Sequence, residues 1–314
     1  MNRPDAILIA GPTASGKSAL AIRLAQRLGG LVINTDSMQV YRDLRIITAR
    51  PSVEEEACAP HALFGTEDGA ENFSTGRWLT AARREYERAQ AADLIPIFVG
   101  GTGLYFKALT QGLSDIPAVP DEVRAQIRRD AAGQTPEQLH ALLSSIDPLT
   151  AARLRPSDPQ RLLRALEVYA ATGQSLASFQ SSRGAALLDP SRCVAVFLTL
   201  DRPALRERID RRFDEMMRNG ALDEIERLSA RQLDPLLPVM RAHGVPPLLR
   251  HIRDDYTLAD AVAEGKADTR RYIKRQETFA RHQLSDFRFV DAAQAEAHVL
   301  TSLGASRATR QPAK

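Results

Sequence analysis

Residues 10–21 read AGPTASGKSALA and directly follow the apolar run AILI. The stretch matches the pattern G-x-x-x-x-G-K-[ST], whose fixed positions are Gly11, Gly16, Lys17 and Ser18. In such a loop, backbone N–H groups between a strand and a helix surround phosphate oxygens, the lysine balances their charge and the hydroxyl binds Mg²⁺. The sequence therefore predicts a site for a di- or triphosphate with Mg²⁺ on Ser18. ATP is the common occupant of these loops, but any pyrophosphate ester satisfies the same donors.

The composition is that of an ordinary globular protein. The 314 residues include 42 lysines and arginines against 39 aspartates and glutamates, a net charge of +3 that is compatible with a nucleic-acid partner but does not indicate one. No apolar stretch approaches the roughly 20 residues that span a membrane, so we expect a soluble, cytoplasmic protein. Cys58 and Cys193 are far apart and predict neither a disulfide nor a thiolate zinc site.

Helical and strand-like patterns alternate over the first 110 or so residues. Leu20, Leu24 and Leu28 recur at helical spacing until Gly29 and Gly30 end that helix. The apolar runs LVIN and LIPIFVG have the character of buried strands. This alternation predicts an α/β fold with a parallel sheet covered by helices on both faces.

Three predicted strands are each followed by candidate functional residues. In a parallel sheet of this kind, ligands bind at the carboxyl ends of the strands. We therefore expect the phosphate loop to share one pocket with Asp36 and with the run Gly100, Gly101 and Thr102. From its position alone, Asp36 could bind Mg²⁺, act as a base or cap the following turn, and Thr102 could cap the following helix.

The pattern changes in the segment 115–185, which has no strand-like run and several helical stretches separated by prolines. This segment predicts a helical insertion into the α/β core. The strand pattern returns in CVAVFLTL at 193–200, and a long basic helix around ADTRRYIKRQETFARHQL precedes a last short strand, FRFVD. We expect a discontinuous core of residues 1–114 and 186–300, the insertion, and a flexible tail of residues 301–314.

The segments GPTASGKS, DSMQVYRDL with TARPS, VGGTGLYFKAL, DPQRLLRALEVY and KRQETFARHQL occur in this order over residues 11–284. In this combination the chain resembles the tRNA dimethylallyltransferases, which isopentenylate an adenosine beside the anticodon. The resemblance implies a P-loop NTPase core of the nucleotide-kinase type with a helical insertion domain. It also implies that the loop holds the pyrophosphate of dimethylallyl diphosphate with Mg²⁺, and that a monomer transfers the dimethylallyl group to N6 of adenosine 37 in tRNA.

The resemblance also implies roles for individual residues. Asp36 would accept the amine proton, with Thr102, Arg124 and Lys17 completing the catalytic set. The implied diphosphate-binding residues are Gly11, Pro12, Thr13, Ala14, Ser15, Gly16, Lys17, Ser18 and Arg212. The implied tRNA-binding residues are Asp36, Ser37, Met38, Gln39, Gln160, Arg161, Leu162, Leu163, Arg164, Lys274, Arg275, Gln276 and Arg281. Val245 and Phe279 depart from the family pattern, which commonly has tyrosine and tryptophan there.

Two other functions compete with prenyl transfer. One is a small-molecule or nucleotide kinase that uses ATP on the same core. The other is a nucleotide-gated RNA-binding module without chemistry. A kinase is expected to carry a short arginine-bearing lid, whereas the segment 115–185 is too long for one. A pure binding module has no need for Asp36 and Thr102 beside the phosphate loop.

Overall fold

The computed structural model describes residues 4–180 and 184–308. The chain divides into two compact units, Met1–Thr110 with Leu187–Lys314, and Gln111–Ala186. We call them the core unit and the helical unit. Among the described residues, no helix combines the length and apolar character that crossing a membrane requires.

The core unit is built on a parallel sheet. Its strands within the described residues are β1 (Ala6–Ala10), β2 (Gly30–Asn34), β3 (His61–Ala62), β4 (Ile95–Gly100), β5 (Cys193–Thr199) and β6 (Arg288–Asp291), in the spatial order β3-β2-β4-β1-β5-β6. Ile9 of β1 lies opposite Val99 of β4 on one side and Val196 of β5 on the other. Strands β1, β2 and β4 are buried along their whole length, which explains their unbroken apolar sequences. The predicted parallel α/β fold is confirmed.

In chain order the helices are α1 (Lys17–Leu28), α2 (Val53–Ala57), α3 (Thr75–Ala91), α4 (Gly103–Gln111), α5 (Asp121–Asp130), α6 (Pro136–Ile146), α7 (Pro148–Ala151), α8 (Pro159–Thr172), α9 (Leu176–Phe179), α10 (Arg202–Arg218), α11 (Ala221–Ala230), α12 (Val245–Ile252), α13 (Leu258–Gln283) and α14 (Ala295–Ala308). Helices α1 and α14 cover one face of the sheet. There Leu20 and Leu24 of α1 and Val299 of α14 pack with Ile7 and Ile9 of β1.

The opposite face of the sheet supports the end of β2. Trp78 of α3 and Tyr105 of α4 are buried there and stack with ring centroids 4.0 Å apart. The indole N–H of Trp78 donates to the carbonyl oxygen of Asn34, the last residue of β2, at 3.0 Å. Core packing therefore fixes the end of β2, and Asp36 lies two residues after that end.

Helix α14 corrects the expectation for the end of the chain. The sequence predicts a flexible tail from residue 301, whereas the helix continues to Ala308. Leu300 and Leu303 pack against the apolar cluster of β1 and α1, which stabilises these additional turns. The part of the tail after Ala308 lies outside the described residues.

The helical unit has an apolar core of its own. Leu139 and Leu143 of α6 pack there with Leu162 and Leu166 of α8. The buried carboxylate of Asp147 accepts a hydrogen bond from the backbone N–H of Thr150 in α7. It also accepts from the hydroxyl of Ser175, just before α9, and from the N–H of Leu176, the first residue of α9. These bonds connect the short helices to the unit's core.

Candidate active site

The phosphate loop between β1 and α1 has the backbone conformation of an anion cradle. Ala14 and Gly16 have φ values of 62° and 84°, in the left-handed region that occurs where successive N–H groups converge on an anion. Within the described residues, the buried hydroxyl of Ser15 has no hydrogen-bond partner. A Cβ atom at Gly11 would lie only 3.1 Å from the Cβ of Leu198, so glycine permits the loop to approach β5. The loop therefore offers the Ser15 hydroxyl as a donor without a protein acceptor, which a phosphate oxygen can accept.

Two cationic side chains belong to this loop site. Lys17 is buried at the start of α1, and its Nζ donates to the carbonyl oxygen of Pro12 at 3.1 Å. Burial lowers the pKa of Lys17 from 10.5 to about 8; Asp36 opposes this effect and Arg212 adds to it. Arg212 of α10 donates from Nη1 to Oγ1 of Thr13 at 3.3 Å. A bound anion would relieve the repulsion between these two cations.

The lowered pKa of Lys17 predicts how anion binding depends on pH. An alkyl diphosphate binds best to the protonated ammonium, and the free protein loses this form as pH rises through about 8. We expect its association constant to fall by up to about tenfold per pH unit above that value. The measurement is a calorimetric titration at several pH values, with Lys17→Arg as the control because its guanidinium stays charged. Equally steep pH dependence in both proteins would contradict this role of Lys17.

Asp36 is held in place by its own turn. The side chain of the fully buried Asn34 accepts from the N–H of Asp36 and donates to its carbonyl oxygen, each at 2.9 Å. Oδ1 of Asp36 accepts from the N–H of Met38 at 3.0 Å. Its other oxygen, Oδ2, lies on the side of Gly101. Oδ1 therefore caps the turn, which is one of the roles considered from the sequence. If Asp36 also acts as a base, Oδ2 is the oxygen that would accept the proton.

The hydroxyl of Thr102 joins the ends of β2 and β4. It accepts from the N–H of Ser37 at 2.9 Å and donates to the Ser37 hydroxyl at 3.2 Å. A Cβ atom at Gly100 would collide with the backbone of Thr35, so only glycine allows the two strand ends to lie this close. The structure thus brings Asp36 and Thr102 to neighbouring strand ends.

Helix α13 packs its polar side chains against the same strand ends. The buried Gln276 donates from Nε2 to the carbonyl oxygen of Gly101 at 2.8 Å. Burial and the charge of Asp36 raise the pKa of Tyr272, while hydrogen bonds with Thr102 and Gln276 oppose that rise. Tyr272 is therefore a neutral phenol near neutral pH. Gln276, which the sequence suggested as an RNA contact on a basic helix, instead lines the interior of the site.

A cavity of ≈ 200 Å³ opens beside the phosphate loop. Its polar lining includes Thr13, Asp36 and Arg212, and its apolar lining includes Ile47, Ile209, Phe213 and Met216. The cavity therefore suits a small ligand with an anionic end and an apolar end.

A buried carboxylate, that of Glu224, stabilises a loop that lines the cavity. The sequence analysis did not identify this residue. Glu224 of α11 accepts the backbone N–H groups of Arg45, Ile46 and Ile47 at 2.6, 2.9 and 2.9 Å. Ile47 and Thr48 line the cavity. Glu224 therefore fixes the course of the loop that follows Asp36.

Besides Gln276, two other side chains predicted to contact tRNA are buried, and their role as tRNA contacts stays a prediction. The amide of Gln39 donates to the carbonyl oxygens of Thr48 and Ala49 at 2.9 and 3.0 Å, and so braces the loop. Leu162 is fully buried in the core of the helical unit. A motif of consecutive residues includes side chains that face the protein interior and side chains that face solvent. The resemblance to the family did not distinguish between the two kinds.

Asp36, Ser37 and Met38, which are also predicted RNA contacts, follow β2 and line the cavity, whereas three further predicted contacts of the core unit lie on α13. Lys274, Arg275 and Arg281 are exposed there. Arg270 of the same helix forms an ion pair with Asp210 of α10, so its charge is partly neutralised. The exposed basic face of α13 therefore begins beyond Arg270.

In the helical unit, the remaining predicted RNA contacts lie on α8, and the predicted catalytic residue Arg124 lies on α5. Gln160 and Arg161 are exposed at the start of α8, and Leu163 and Arg164 are partly exposed further along it. Arg124 of α5 lies 2.7 Å from Asp121 and 3.9 Å from Glu167. The catalytic role suggested for Arg124 stays a prediction.

The two departures from the family pattern are packing positions in this chain. Val245 is fully buried at the start of α12. Phe279 of α13 lies so close to Gly103 that a Cβ atom there would collide with its ring. Both side chains therefore contribute to the core around the site.

Comparisons with known proteins match nearly the whole chain. The family model described as IPP transferase matches residues 39–283, and the one described as isopentenyl transferase matches residues 4–59. The tRNA dimethylallyltransferase of Methylocella silvestris is 63% identical over 295 residues, which are 94% of this chain and 97% of that protein. The tRNA dimethylallyltransferase of Beijerinckia indica is 62% identical over 298 residues, 95% of this chain and 99% of that protein.

Solved structures give the same result. The tRNA isopentenylpyrophosphate transferase of Bacillus halodurans is 31% identical with a TM-score of 0.69, and the match covers 98% of this chain and all of that one. A eukaryotic dimethylallyltransferase acting on tRNA is 28% identical with a TM-score of 0.80, over 98% of this chain and 80% of that one. Because sequence and fold both match over almost the full length, the chain belongs to the IPP transferase family, that of the tRNA dimethylallyltransferases.

Proposed function

We propose that this protein transfers a dimethylallyl group from dimethylallyl diphosphate to N6 of adenosine 37 in tRNAs, releasing diphosphate. The observation that carries the proposal is the cavity itself. A phosphate loop with two cationic side chains opens into a partly apolar space that is also lined by a fixed carboxylate, Asp36. This combination fits a diphosphate ester with an allylic group and an amine nucleophile beside it.

In this reaction the phosphate loop binds a leaving group. As the C–O bond of the donor breaks, its electron pair goes to the diphosphate, and negative charge grows there. Backbone N–H groups of the loop, with Lys17 and Arg212, lie where they stabilise that charge. The positive charge that develops on the allylic carbon faces the apolar part of the cavity and the carboxylate of Asp36.

Asp36 acts as the general base of the proposal. The lone pair of N6 forms the new C–N bond to the allylic carbon, and a proton of N6 passes to Oδ2 of Asp36. The N–H of Met38 fixes the carboxylate, and the side chain of Asn34 fixes the backbone of Asp36. Thr102 and Ser37 hold the neighbouring loop, so that the two strand ends keep a constant spacing.

The residues of the loop fit a Mg²⁺ ion that binds together with the diphosphate. Ser18 offers a hydroxyl in the first turn of α1, and Mg²⁺ commonly takes one or two protein ligands besides phosphate oxygens and water. The unpartnered hydroxyl of Ser15 adds a further donor for the phosphate oxygens. When bound, Mg²⁺ would supply positive charge to the diphosphate.

The experiment incubates the purified protein with unmodified tRNA and dimethylallyl diphosphate. We expect nucleoside mass spectrometry to find one hydrogen of adenosine 37 replaced by a dimethylallyl group, and no change in a tRNA with guanosine at that position. The competing kinase function predicts phosphorylation of a small molecule by ATP instead. ATP-dependent phosphorylation without prenyl transfer would contradict the proposal.

The exposed basic face of α13 predicts a salt-dependent contact with tRNA. Reversing the charges of Lys274 and Arg275 to glutamate should weaken tRNA binding and flatten its salt dependence by about one unit of slope per lost phosphate contact. Donor affinity should stay unchanged. The matched control reverses Arg83 and Arg84, an adjacent exposed pair on α3. If both double variants change the salt slope equally, net charge alone explains the effect and the proposed contact is wrong.

A further inference from the structure

Three guanidinium groups in the helical unit surround one buried carboxylate. Glu167 of α8 has a side chain that is only 6% exposed. Nε of Arg128 lies 3.3 Å from its Oε1, while Nε of Arg124 and Nη1 of Arg164 lie 3.9 Å from its Oε2. Arg124 and Arg128 belong to α5, and Arg164 belongs to α8. We call these four side chains the arginine cluster.

The arginine cluster has more positive charge and more donors than its carboxylate can match. Three cations face one buried anion, and the further carboxylate of Asp121 on Arg124 is 91% exposed and therefore well screened. Each guanidinium carries five N–H donors, whereas a carboxylate accepts at about four sites. Burial lowers the pKa of Arg164, with Glu167 opposing and Arg124 adding to that shift. The carboxylate of Glu167 therefore offsets part of the repulsion among the three arginines.

We propose that Glu167 is a positioning residue that holds Arg124, Arg128 and Arg164 together as one binding site for a backbone phosphate of the RNA substrate. The identity of the ligand rests on the proposed function, because that function requires a tRNA. The spare donors of the cluster call for an anion, and guanidinium groups match the geometry of a phosphate in bidentate fashion.

The partial exposure of the arginines favours this role over simple neutralisation of a buried acid. The side chains of Arg124 and Arg128 are each 26% exposed, and that of Arg164 is 39% exposed. One arginine would suffice to pair Glu167, so the other two contribute surplus charge at the surface. Arg161 is exposed on the same helix as Arg164 and extends the basic surface.

The decisive variant is Glu167→Gln. A positioning role predicts that this change weakens tRNA binding, whereas electrostatics alone predicts that it strengthens tRNA binding. The substitution removes a negative charge beside a basic surface, and electrostatics alone would make a polyanion bind more tightly. If Glu167 positions the arginines, its loss lets them separate. We then expect the dissociation constant for tRNA to rise about tenfold and the salt slope to fall by about one unit, the loss of one phosphate contact.

Asp158→Asn is the matched control. Asp158 precedes α8 and pairs with the exposed Arg161 at 3.2 Å, and asparagine retains its N-cap role. This change removes the same charge from the same helix without touching the arginine cluster. We expect tRNA binding to stay equal or become slightly tighter.

Arg128→Gln keeps the inference testable if Glu167→Gln unfolds, which thermal melting followed by circular dichroism would reveal. This variant leaves Glu167 paired with Arg124 and Arg164, and it should weaken tRNA binding and lower the salt slope by about one unit. Donor affinity serves as the check that the core unit is intact. If Glu167→Gln folds and binds tRNA as tightly as the unaltered protein or more tightly, the positioning role of Glu167 is wrong. If Glu167→Gln unfolds, the same result for Arg128→Gln overturns the inference. In either case the proposed function stands. If the unaltered protein neither binds nor modifies tRNA, the proposed function itself fails.

Discussion

Asp36→Asn should transfer the dimethylallyl group about 10²–10⁴ times more slowly than the unaltered protein, with both substrates still bound. Asparagine keeps the shape of the side chain and an oxygen that accepts from the N–H of Met38, so the turn should persist. It cannot take the proton that must leave N6 as the C–N bond forms. The measurement is the single-turnover rate with donor and tRNA saturating, together with the affinity for each.

The same experiment separates the roles considered for this carboxylate. A rate near that of the unaltered protein would make Asp36 a turn cap only and would contradict its assignment as base. If the rate falls and the remaining rate no longer depends on Mg²⁺, Asp36 is a metal ligand. Ser37→Ala is a suitable comparison, because it removes the hydroxyl that accepts from Thr102 but keeps Asp36 and its turn.

Lys17→Ala should lower the transfer rate by about 10²–10³, the usual effect of losing one preorganised group at developing charge. The ammonium is buried beside the loop, and alanine provides no charge for the departing diphosphate. Affinity for tRNA should change little, because Lys17 is buried, with only 9% of the residue exposed. Transfer rates and tRNA affinities of the two proteins provide the test.

The stability of Lys17→Ala is its internal control. Burial disfavours the charged form of Lys17, as its lowered pKa shows. Removing it should therefore not lower the melting temperature of the free protein near neutral pH. A large loss of stability would mean that Lys17 mainly supports the fold, and a rate within a few-fold of the original would contradict its role at the leaving group.

The parallel fold could be predicted from the sequence because each signal was local. Strands buried on both faces must be apolar throughout, as in AILIA and IPIFVG, and the left-handed Gly29 ends α1 where the glycine pair predicts it. The phosphate loop has fixed spacing, so its position after β1 was predictable as well. The last helix differed, since α14 depends on Leu300 and Leu303 packing against the distant strand β1.

The supporting residues of the site were harder to predict, because their hydrogen-bond partners are backbone groups, which every residue carries. Asn34 and Glu224 are buried polar residues whose partners are backbone groups of the loop around the site. Glu224 left a faint signal, since it occupies the same helical face as the buried Ala221, Ile225 and Leu228. A charged residue on an apolar face requires a partner, but the sequence did not show which one.

In the proposed reaction the phosphate loop binds a departing diphosphate and not a phosphoryl donor. The most direct measurement follows both halves of the donor, with dimethylallyl diphosphate labelled on its first carbon and on its terminal phosphorus. We expect every carbon label lost from the donor to appear on adenosine 37, with one intact diphosphate released for each. Release of orthophosphate, or phosphorus label on the tRNA or on any other acceptor, would show that the loop binds a phosphoryl donor instead.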